Sequence, residues 1–142
     1  MNSEILERHK NINRGFRKLE IWRKAIIIYE MVCEILNKNK EIPFKTKSQV
    51  EDSALSISSN IAEGYSRRSI KETLRFYEIG LASAAENYSQ LFALYSTQRV
   101  SQDDFDKYDA LHYELENKII SMNKSLIFSL KNQGVGWETD YQ

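Results

Sequence analysis

The chain has 142 residues, of which 42% are hydrophobic and 28% charged, with one proline and five glycines. That length suits one domain with its own core, and the scarcity of helix breakers favours an all-α fold. Lys and Arg number 20, as do Asp and Glu, which argues against a dedicated polyanion binder but leaves room for a local basic patch. The single cysteine, Cys33, excludes an intramolecular disulfide and a cysteine-based zinc site. No apolar run approaches the roughly 20 residues of a membrane span, and we expect a cytoplasmic protein with no membrane partner.

The charge is distributed unevenly along the chain. Residues 1–75 contain 15 Lys and Arg against 10 Asp and Glu, whereas residues 76–142 contain 5 against 10. This polarity is either ordinary surface charge or a dipole that suits side-by-side packing of identical subunits.

The first part of the chain predicts a polar arm and then a helix. Residues 1–13 carry few apolar anchors and are interpreted as an N-terminal arm. From Phe16 to Leu36, apolar residues recur every three or four positions, which predicts one helical face. Pro43 then prevents the helix from continuing.

A second helix is predicted to begin near Lys47, because Thr46 and Gln49 have the spacing of a capping box. Its apolar residues are few and mostly small, which predicts close approach to its neighbours. Gly64 stands where a helix often takes a left-handed terminal residue. The apolar positions are Val50, Ala54, Ile57 and Ile61.

A third helix is predicted from the capping-box pair Ser69 and Glu72. Its apolar residues alternate at steps of four and three, which indicates bundle-type packing. Three apolar residues outside that line, Phe76, Ile79 and Phe92, either widen the core face or form a subunit interface. The line itself comprises Ile70, Leu74, Tyr77, Leu81, Ala84, Tyr88, Leu91 and Tyr95.

The fourth helix is predicted to start at a Ser101–Asp104 cap and to end near Lys131. Four amphipathic helices joined by short turns bury their stripes most simply as an antiparallel up-down-up-down four-helix bundle. We therefore predict a bundle over residues 14–131 and a C-terminal tail over 132–142. Whether Trp137 in that tail docks on the bundle is left open.

Enzymatic interpretations find little support in the sequence. His9 lies in the polar arm, and His112 occupies a core position where a hydrogen-bonded structural role is favoured. Cys33 lies on an apolar stripe and is interpreted as a small buried hydrophobe. No metal-ligand spacing, phosphate-binding glycine loop or nucleophile with a base is recognisable. We expect no catalytic residue, no cofactor, no metal and no small-molecule substrate.

Two basic clusters are candidates for nucleic-acid contact. One lies at the start of the first helix and the other opens the third, and antiparallel topology brings these two regions to the same end of the bundle. A joint patch there could contact phosphates by charge; the alternative is a solvated helix face with local ion pairs. The candidate contacts are Arg14, Arg17, Lys18, Arg67, Arg68, Lys71 and Arg75.

The end of the second helix is unusually polar for a bundle. Ser59, Asn60, Glu63 and Gly64 form what we call the corner motif. Their polar groups either satisfy backbone groups and neighbouring helices, or face a partner or nucleic acid. An enzyme that used Glu63 and Asn60 is a weaker hypothesis, since it requires a concave polar pocket at this corner.

The segment SISSNIAEGYSR, residues 56–67, resembles the signature of the four-helix-bundle proteins encoded in intervening sequences of bacterial 23S ribosomal RNA genes. The resemblance extends over roughly residues 14–130 and includes Phe16, Leu19, Trp22 and Ala25 in the first helix. It departs from the family pattern at Glu51 and Asp52, where basic residues are expected, and at Ser58, where proline is expected.

This resemblance implies an up-down four-helix bundle that assembles into a ring-like homo-oligomer, with a pentamer expected. A more distant similarity is to the accessory variability protein of diversity-generating retroelements, which is a basic pentamer that binds reverse transcriptase and nucleic acid. No enzymatic activity comes with either resemblance. Two functions follow as hypotheses: a self-associating structural or adaptor module, or an RNA or ribonucleoprotein binder that uses the basic clusters. The acidic Glu51 and Asp52 weaken the second.

Overall fold

The computed structural model describes residues 1–133, and that range contains helices and no strands. The predicted all-α class is therefore confirmed for the described part of the chain. Within it, no helix has both the length and the apolar character needed to cross a membrane. In chain order the elements are α1 (Ser3–Glu7), a 3-10 segment (Ile12–Lys18), α2 (Glu20–Asn37), α3 (Phe44–Tyr65), α4 (Ile70–Ser96) and α5 (Gln102–Gln133).

Two helices begin at the caps that the sequence predicts. The Ser69 hydroxyl accepts a hydrogen bond from the backbone N–H of Glu72 at 3.1 Å, and α4 starts at the next residue. The Ser101 hydroxyl accepts from the backbone N–H of Asp104 at 3.1 Å, at the start of α5. Each bond satisfies one of the N–H groups that a helix start leaves without an intrahelical partner.

The predicted start of the second helix is wrong by three residues. The helix, α3, begins at Phe44 instead of Lys47, and Pro43 is its N-cap. The carbonyl of Pro43 accepts the first helical hydrogen bond, from the backbone N–H of Lys47 at 2.9 Å. Proline is tolerated at this boundary because the N–H that it lacks has no partner in a helix start.

The start of the first long helix also differs from the prediction. The chain forms a 3-10 segment across Phe16, and the α-helix begins only at Glu20. Residues 1–13, predicted as a polar arm, contain the short helix α1, capped by the Asn2 side chain. The division into arm, bundle and tail stays a prediction. Residues 134–142, including Trp137, lie outside the described residues.

The four long helices pack around one apolar core. α3 packs mainly on α2 and α4, and α5 packs mainly on α2 and α4. Every one of these helices contributes fully buried apolar side chains, which is the largest stabilising contribution available to such a domain. Representative core residues, all with no exposed surface, are Ala25, Val32, Ile57, Leu91 and Ile119.

Two ion pairs connect α2 to α5. The ammonium of Lys24 lies 2.8 Å from the Glu114 carboxylate, and that of Lys38 lies 2.9 Å from Asp104. The hydrogen bond from Lys24 holds the pKa of Glu114 below its ordinary value, and the hydrogen bond to Asp104 raises the pKa of Lys38. Both pairs lie at the surface, where solvent screens them, so their contribution to stability is small.

Helices α3 and α4 approach closely and share hydrogen bonds. The Ser53 hydroxyl donates to the side-chain oxygen of Gln90 at 2.6 Å, and the Thr73 hydroxyl donates to the backbone carbonyl of Gly64 at 2.8 Å. Gly80 lies against α3, where a β-carbon would come 3.5 Å from a backbone oxygen. The small residues of this interface allow the close approach that the sequence predicts.

The buried line of α4 differs from the predicted apolar line. Leu74, Leu81, Tyr88 and Tyr95 are only half-buried, because α4 turns a face that includes polar and small residues towards the centre. A pattern drawn from large apolar residues alone misses that face. The buried residues of α4 are Ile70, Thr73, Tyr77, Gly80, Ala84, Asn87, Leu91 and Leu94.

Candidate functional site

The corner motif is held largely by hydrogen bonds within and between α3 and α4. The side-chain amide of Asn60 donates to the backbone carbonyl of Ser56 at 2.8 Å and to its hydroxyl at 3.0 Å. That hydroxyl also lies 2.9 Å from the hydroxyl of Ser83 on α4. Asn60 therefore orients the serine that connects the two helices. Ser59 is exposed on the outer side of α3.

Gly64 is required by close packing rather than by a left-handed backbone. The sequence predicts a left-handed terminal residue here, but Gly64 lies inside α3, which continues to Tyr65. A β-carbon on Gly64 would lie 2.9 Å from the β-carbon of Phe76 and 2.9 Å from ring atoms of Tyr77. The absence of a side chain is what lets α4 cross α3 at this point.

Burial raises the pKa of the Tyr77 phenol to about 12. The ring is 3% exposed and packs against the α3 backbone at Gly64. The Tyr77 phenol stays neutral because it is buried, and its ring is a packing element of the corner.

Glu63 and Arg67 form an ion pair on the surface of the corner. Their closest side-chain atoms are 2.6 Å apart, one helical turn from each other. The Arg67 guanidinium also lies over the ring of Phe76, 4.5 Å from its centroid. Arg67 is thus engaged by a carboxylate and an aromatic face, which reduces its availability for a ligand.

Arg17 has a structural role at the start of the chain. Its guanidinium donates to the backbone carbonyls of Ile5 at 3.1 Å and Arg8 at 2.9 Å. These bonds tie α1 to the 3-10 segment. Arg14 donates more weakly to the carbonyl of His9, at 3.4 Å. The sequence groups Arg17 with the phosphate-binding candidates, because a pattern of charges does not show that a guanidinium is bonded to backbone carbonyls of another segment.

The remaining basic residues are exposed. Lys18 ends the 3-10 segment, Arg68 lies in the turn before α4, and Lys71 and Arg75 lie on the first turns of α4. A cation in such a position keeps its hydration and can meet a phosphate without a large desolvation penalty.

The 3-10 segment lies against the end of α3. A β-carbon on Gly15 would be only 2.7 Å from the ring of Tyr65, the last residue of α3. Arg14, Arg17 and Lys18 are thus carried on a segment that packs beside the turn into α4. The two sequence clusters share one end of the structure.

The three candidate interface residues do not share one face. Phe76 is half-buried beneath Arg67, whereas Ile79 is 39% exposed and Phe92 is 48% exposed. Ile79 and Phe92 are 13 positions apart, which at about 100° per residue separates their directions by roughly 140°. Phe92 belongs to an aromatic group with Tyr95 and Phe105, at centroid distances of 6.1 and 5.8 Å.

A buried polar network connects α3, α4 and α5, and the sequence did not predict it. The Tyr108 hydroxyl donates to the side-chain oxygen of Asn87 at 2.6 Å, and the Asn87 amide donates to the Val50 carbonyl at 3.0 Å and the Ser53 hydroxyl at 3.1 Å. Asn87 and Tyr108 have no exposed surface. Burial raises the pKa of Tyr108. A signal for Asn87 was available, because it lies three residues after Ala84 and four before Leu91, on the same side of α4. The predicted apolar line runs through the adjacent Tyr88 and so misses it.

His112 is buried, as the sequence favoured. It has no exposed surface, and its Nδ1 lies 3.0 Å from a carboxylate oxygen of Glu116 one turn later. Cys33 is half-buried, and burial raises the pKa of its thiol. A thiol held neutral in this way is a poor nucleophile at neutral pH.

A polar groove between α3 and α4 runs beside the corner, with a volume of about 350 Å³. Neither Asn60 nor Glu63 lines it, so it does not supply the pocket that an enzyme based on those residues requires. Among residues 1–133, no group of three or more His, Cys, Asp and Glu side chains is placed to hold a metal ion. The groove is lined by Gln49, Asp52, Ser53, Ser56, Glu86 and Gln90.

Comparison with known proteins identifies the family. Among solved structures, a protein of unknown function from the S23 ribosomal protein family of Bacteroides thetaiotaomicron is similar in fold, with a TM-score of 0.69. Its sequence is 21% identical, and the match covers 73% of this chain and 98% of that one. No protein with a curated description matches this sequence. The family described as 23S rRNA-intervening sequence protein matches residues 17–121, and the chain belongs to that family.

Proposed function

We propose that this protein is a non-enzymatic, self-associating structural or adaptor module, folded as an antiparallel up-down-up-down four-helix bundle. The α2–α5 ion pairs support the topology. Lys24 pairs with Glu114 and Lys38 with Asp104, so residue numbers rise along α2 as they fall along α5. The α3–α4 hydrogen bonds show that these two helices are also antiparallel, because Ser53 pairs with Gln90 and the later Gly64 pairs with the earlier Thr73.

The observation that carries self-association is the amount of apolar side chain left on the folded surface. Phe92 is 48% exposed, Tyr113 is 66% exposed and Phe128 is 69% exposed. An apolar patch on a folded surface often marks a contact with another protein. The opposite net charges of the two halves of the chain also suit packing of one copy against another.

Light scattering on the purified protein tests this proposal. At micromolar concentration we expect a mass several times the 16.7 kDa of one chain, with five subunits expected from the family resemblance. Phe92→Asp should reduce that mass, whereas Ser89→Asp, an exposed neighbour on α4, should leave it unchanged. A monomer at these concentrations contradicts the proposal.

A second candidate function is RNA or ribonucleoprotein binding, for example as a reverse transcriptase accessory protein. It is supported by the contact between Gly15 and Tyr65, through which the two basic clusters share one end of the protein. Phosphates would be met by exposed cations such as Lys18, Lys71 and Arg75.

Salt-dependent RNA binding tests this second function. Replacing Arg68, Lys71 and Arg75 together with glutamine should weaken binding of a structured RNA at low salt. It should also make the dependence of log affinity on log salt less steep, by about one for each phosphate that no longer meets a cation. Lys107→Gln together with Lys124→Gln, two exposed lysines on α5, is the matched control. Absence of RNA binding at low salt contradicts this function.

A further inference from the structure

Helix α5 carries an exposed apolar stripe on its outer side. Tyr113 is 66% exposed, Ile120 is 37% exposed and Ile127 is 36% exposed. They are seven positions apart, which is close to two helical turns, so they lie along one line of the helix. A coiled coil carries two apolar residues in every seven, and this stripe carries one, so it offers a neighbouring helix a narrow apolar line bordered by charged side chains.

Charged residues flank this stripe in a symmetric order. Glu116 and Lys124 are each four positions from Ile120, and Asp109 and Lys131 are each eleven positions from it. Steps of four and eleven return to nearly the same side of a helix as a step of seven. The acidic residues of this set precede Ile120 and the basic residues follow it.

We propose that the α5 helices of two copies of this protein pack antiparallel along this stripe, about a twofold axis at Ile120. The contact rests on the proposed self-association and names one surface for it. Tyr113 then meets Ile127 of the second copy. Glu116 meets Lys124 of the second copy, and each of these contacts occurs twice.

The charges select the antiparallel arrangement over a parallel one. In a parallel pair, Glu116 would face Glu116 and Lys124 would face Lys124, and like charges at such positions destabilise helix pairs. In the antiparallel pair, Asp109 faces Lys131 of the second copy, which adds a further opposite-charge contact. Opposite charges arranged in this way fix the register of two helices as well as their direction.

The lysines of the stripe are available for this contact. Neither Lys124 nor Lys131 forms an ion pair with a residue in the range 1–133. Glu116 has one carboxylate oxygen near His112, and its side chain is 29% exposed, so a lysine can reach the carboxylate from outside. Asp109 receives a hydrogen bond from Tyr88, which raises the pKa of that phenol, and is partly exposed.

A twofold contact of this kind joins only two copies, because the same surface of each copy is covered by the other. It therefore cannot build a five-membered ring, which needs two different surfaces on each subunit. The α5 contact gives a dimer, or it joins two rings.

Cysteine cross-linking in a Cys33→Ala background tests the proposal. Under mild oxidation, Ile120→Cys should give a disulfide-linked pair, because the two copies of this position meet at the axis. Tyr113→Cys should not link to itself, since its two copies lie about 21 Å apart along the helices, whereas a disulfide needs α-carbons within about 7 Å. A mixture of Tyr113→Cys and Ile127→Cys protein should link.

Two results overturn the proposal. One is the failure of Ile120→Cys to link while the protein is an oligomer by light scattering; this leaves the proposed self-association intact. The other is self-linking at Tyr113→Cys, which indicates a parallel pair. A monomer by light scattering contradicts both the α5 contact and the proposed function.

Charge reversal gives an independent readout. Lys124→Glu places like charges together twice across the axis, which should slow the cross-linking of Ile120→Cys about tenfold. Adding Glu116→Lys should restore the cross-linking rate, because positions 116 and 124 then carry opposite charges again, with the two signs exchanged. Lys107→Glu makes the same charge change on another side of α5 and should have no effect. Equal rates for Lys124→Glu and Lys107→Glu overturn the proposed register.

Discussion

Gly64 gives the sharpest test of how the corner is built. In Gly64→Ala, the new β-carbon would lie 2.9 Å from the β-carbon of Phe76 and 2.9 Å from two ring atoms of Tyr77. Real β-carbons almost never approach other atoms this closely. The ring of Tyr77 is buried and its neighbours are packed, so relief requires a shift of α4 against α3.

Gly80 provides a matched control on the facing helix. A β-carbon there would lie 3.5 Å from the carbonyl of Ile57 and 3.6 Å from the β-carbon of Asn60, which is ordinary contact. Alanine is favoured over glycine inside a helix by about 1 kcal/mol, and overpacking costs about 1–3 kcal/mol. Gly80→Ala should therefore be neutral or slightly stabilising. Gly64→Ala should lower the free energy of unfolding by up to about 2 kcal/mol.

Urea denaturation followed by circular dichroism measures this difference. The two variants should have similar m-values, because they expose similar surface on unfolding, and should differ in midpoint. If Gly64→Ala is as stable as Gly80→Ala, the corner is not held by close packing at Gly64. The same result would also exclude a left-handed backbone at this position, because alanine is disfavoured there.

Two further predictions concern buried polar groups. Asn87→Ala leaves the Tyr108 hydroxyl buried without its acceptor and should lower the free energy of unfolding by about 2–4 kcal/mol. Asn117→Ala, on the exposed side of α5, is the control and should change the free energy of unfolding by less than about 0.5 kcal/mol. Equal effects of the two substitutions would contradict the buried network. Because the pKa of Tyr77 is about 12 when folded and about 10 when unfolded, the stability it confers is complete below pH 10 and is lost as the pH rises towards 12. Tyr77→Phe should reduce the loss of stability measured between those pH values, and an unchanged pH dependence would show that this phenol is not protected by the fold.

The candidate site illustrates what charge and motif patterns can predict. The basic residues were recognised as two clusters, and the contact of Gly15 with Tyr65 brings the clusters to one end. Their individual roles were not predictable, because Arg17 is occupied by backbone carbonyls of α1 and Arg67 by a carboxylate and a ring. Such partners depend on how distant segments pack, and a local pattern contains no information about them.

The sequence by itself determined the secondary structure class, two of the helix caps and the family. Helical periodicity and serine caps act over a few residues, so Ser69 and Ser101 could be assigned from their neighbours alone. The tertiary structure decided which residues face the core. Asn87 is buried because Tyr108 and α3 supply partners for its amide, and Gly64 is required because α4 crosses there. Both facts follow from contacts between segments far apart in sequence, where packing and hydrogen bonding override local preference.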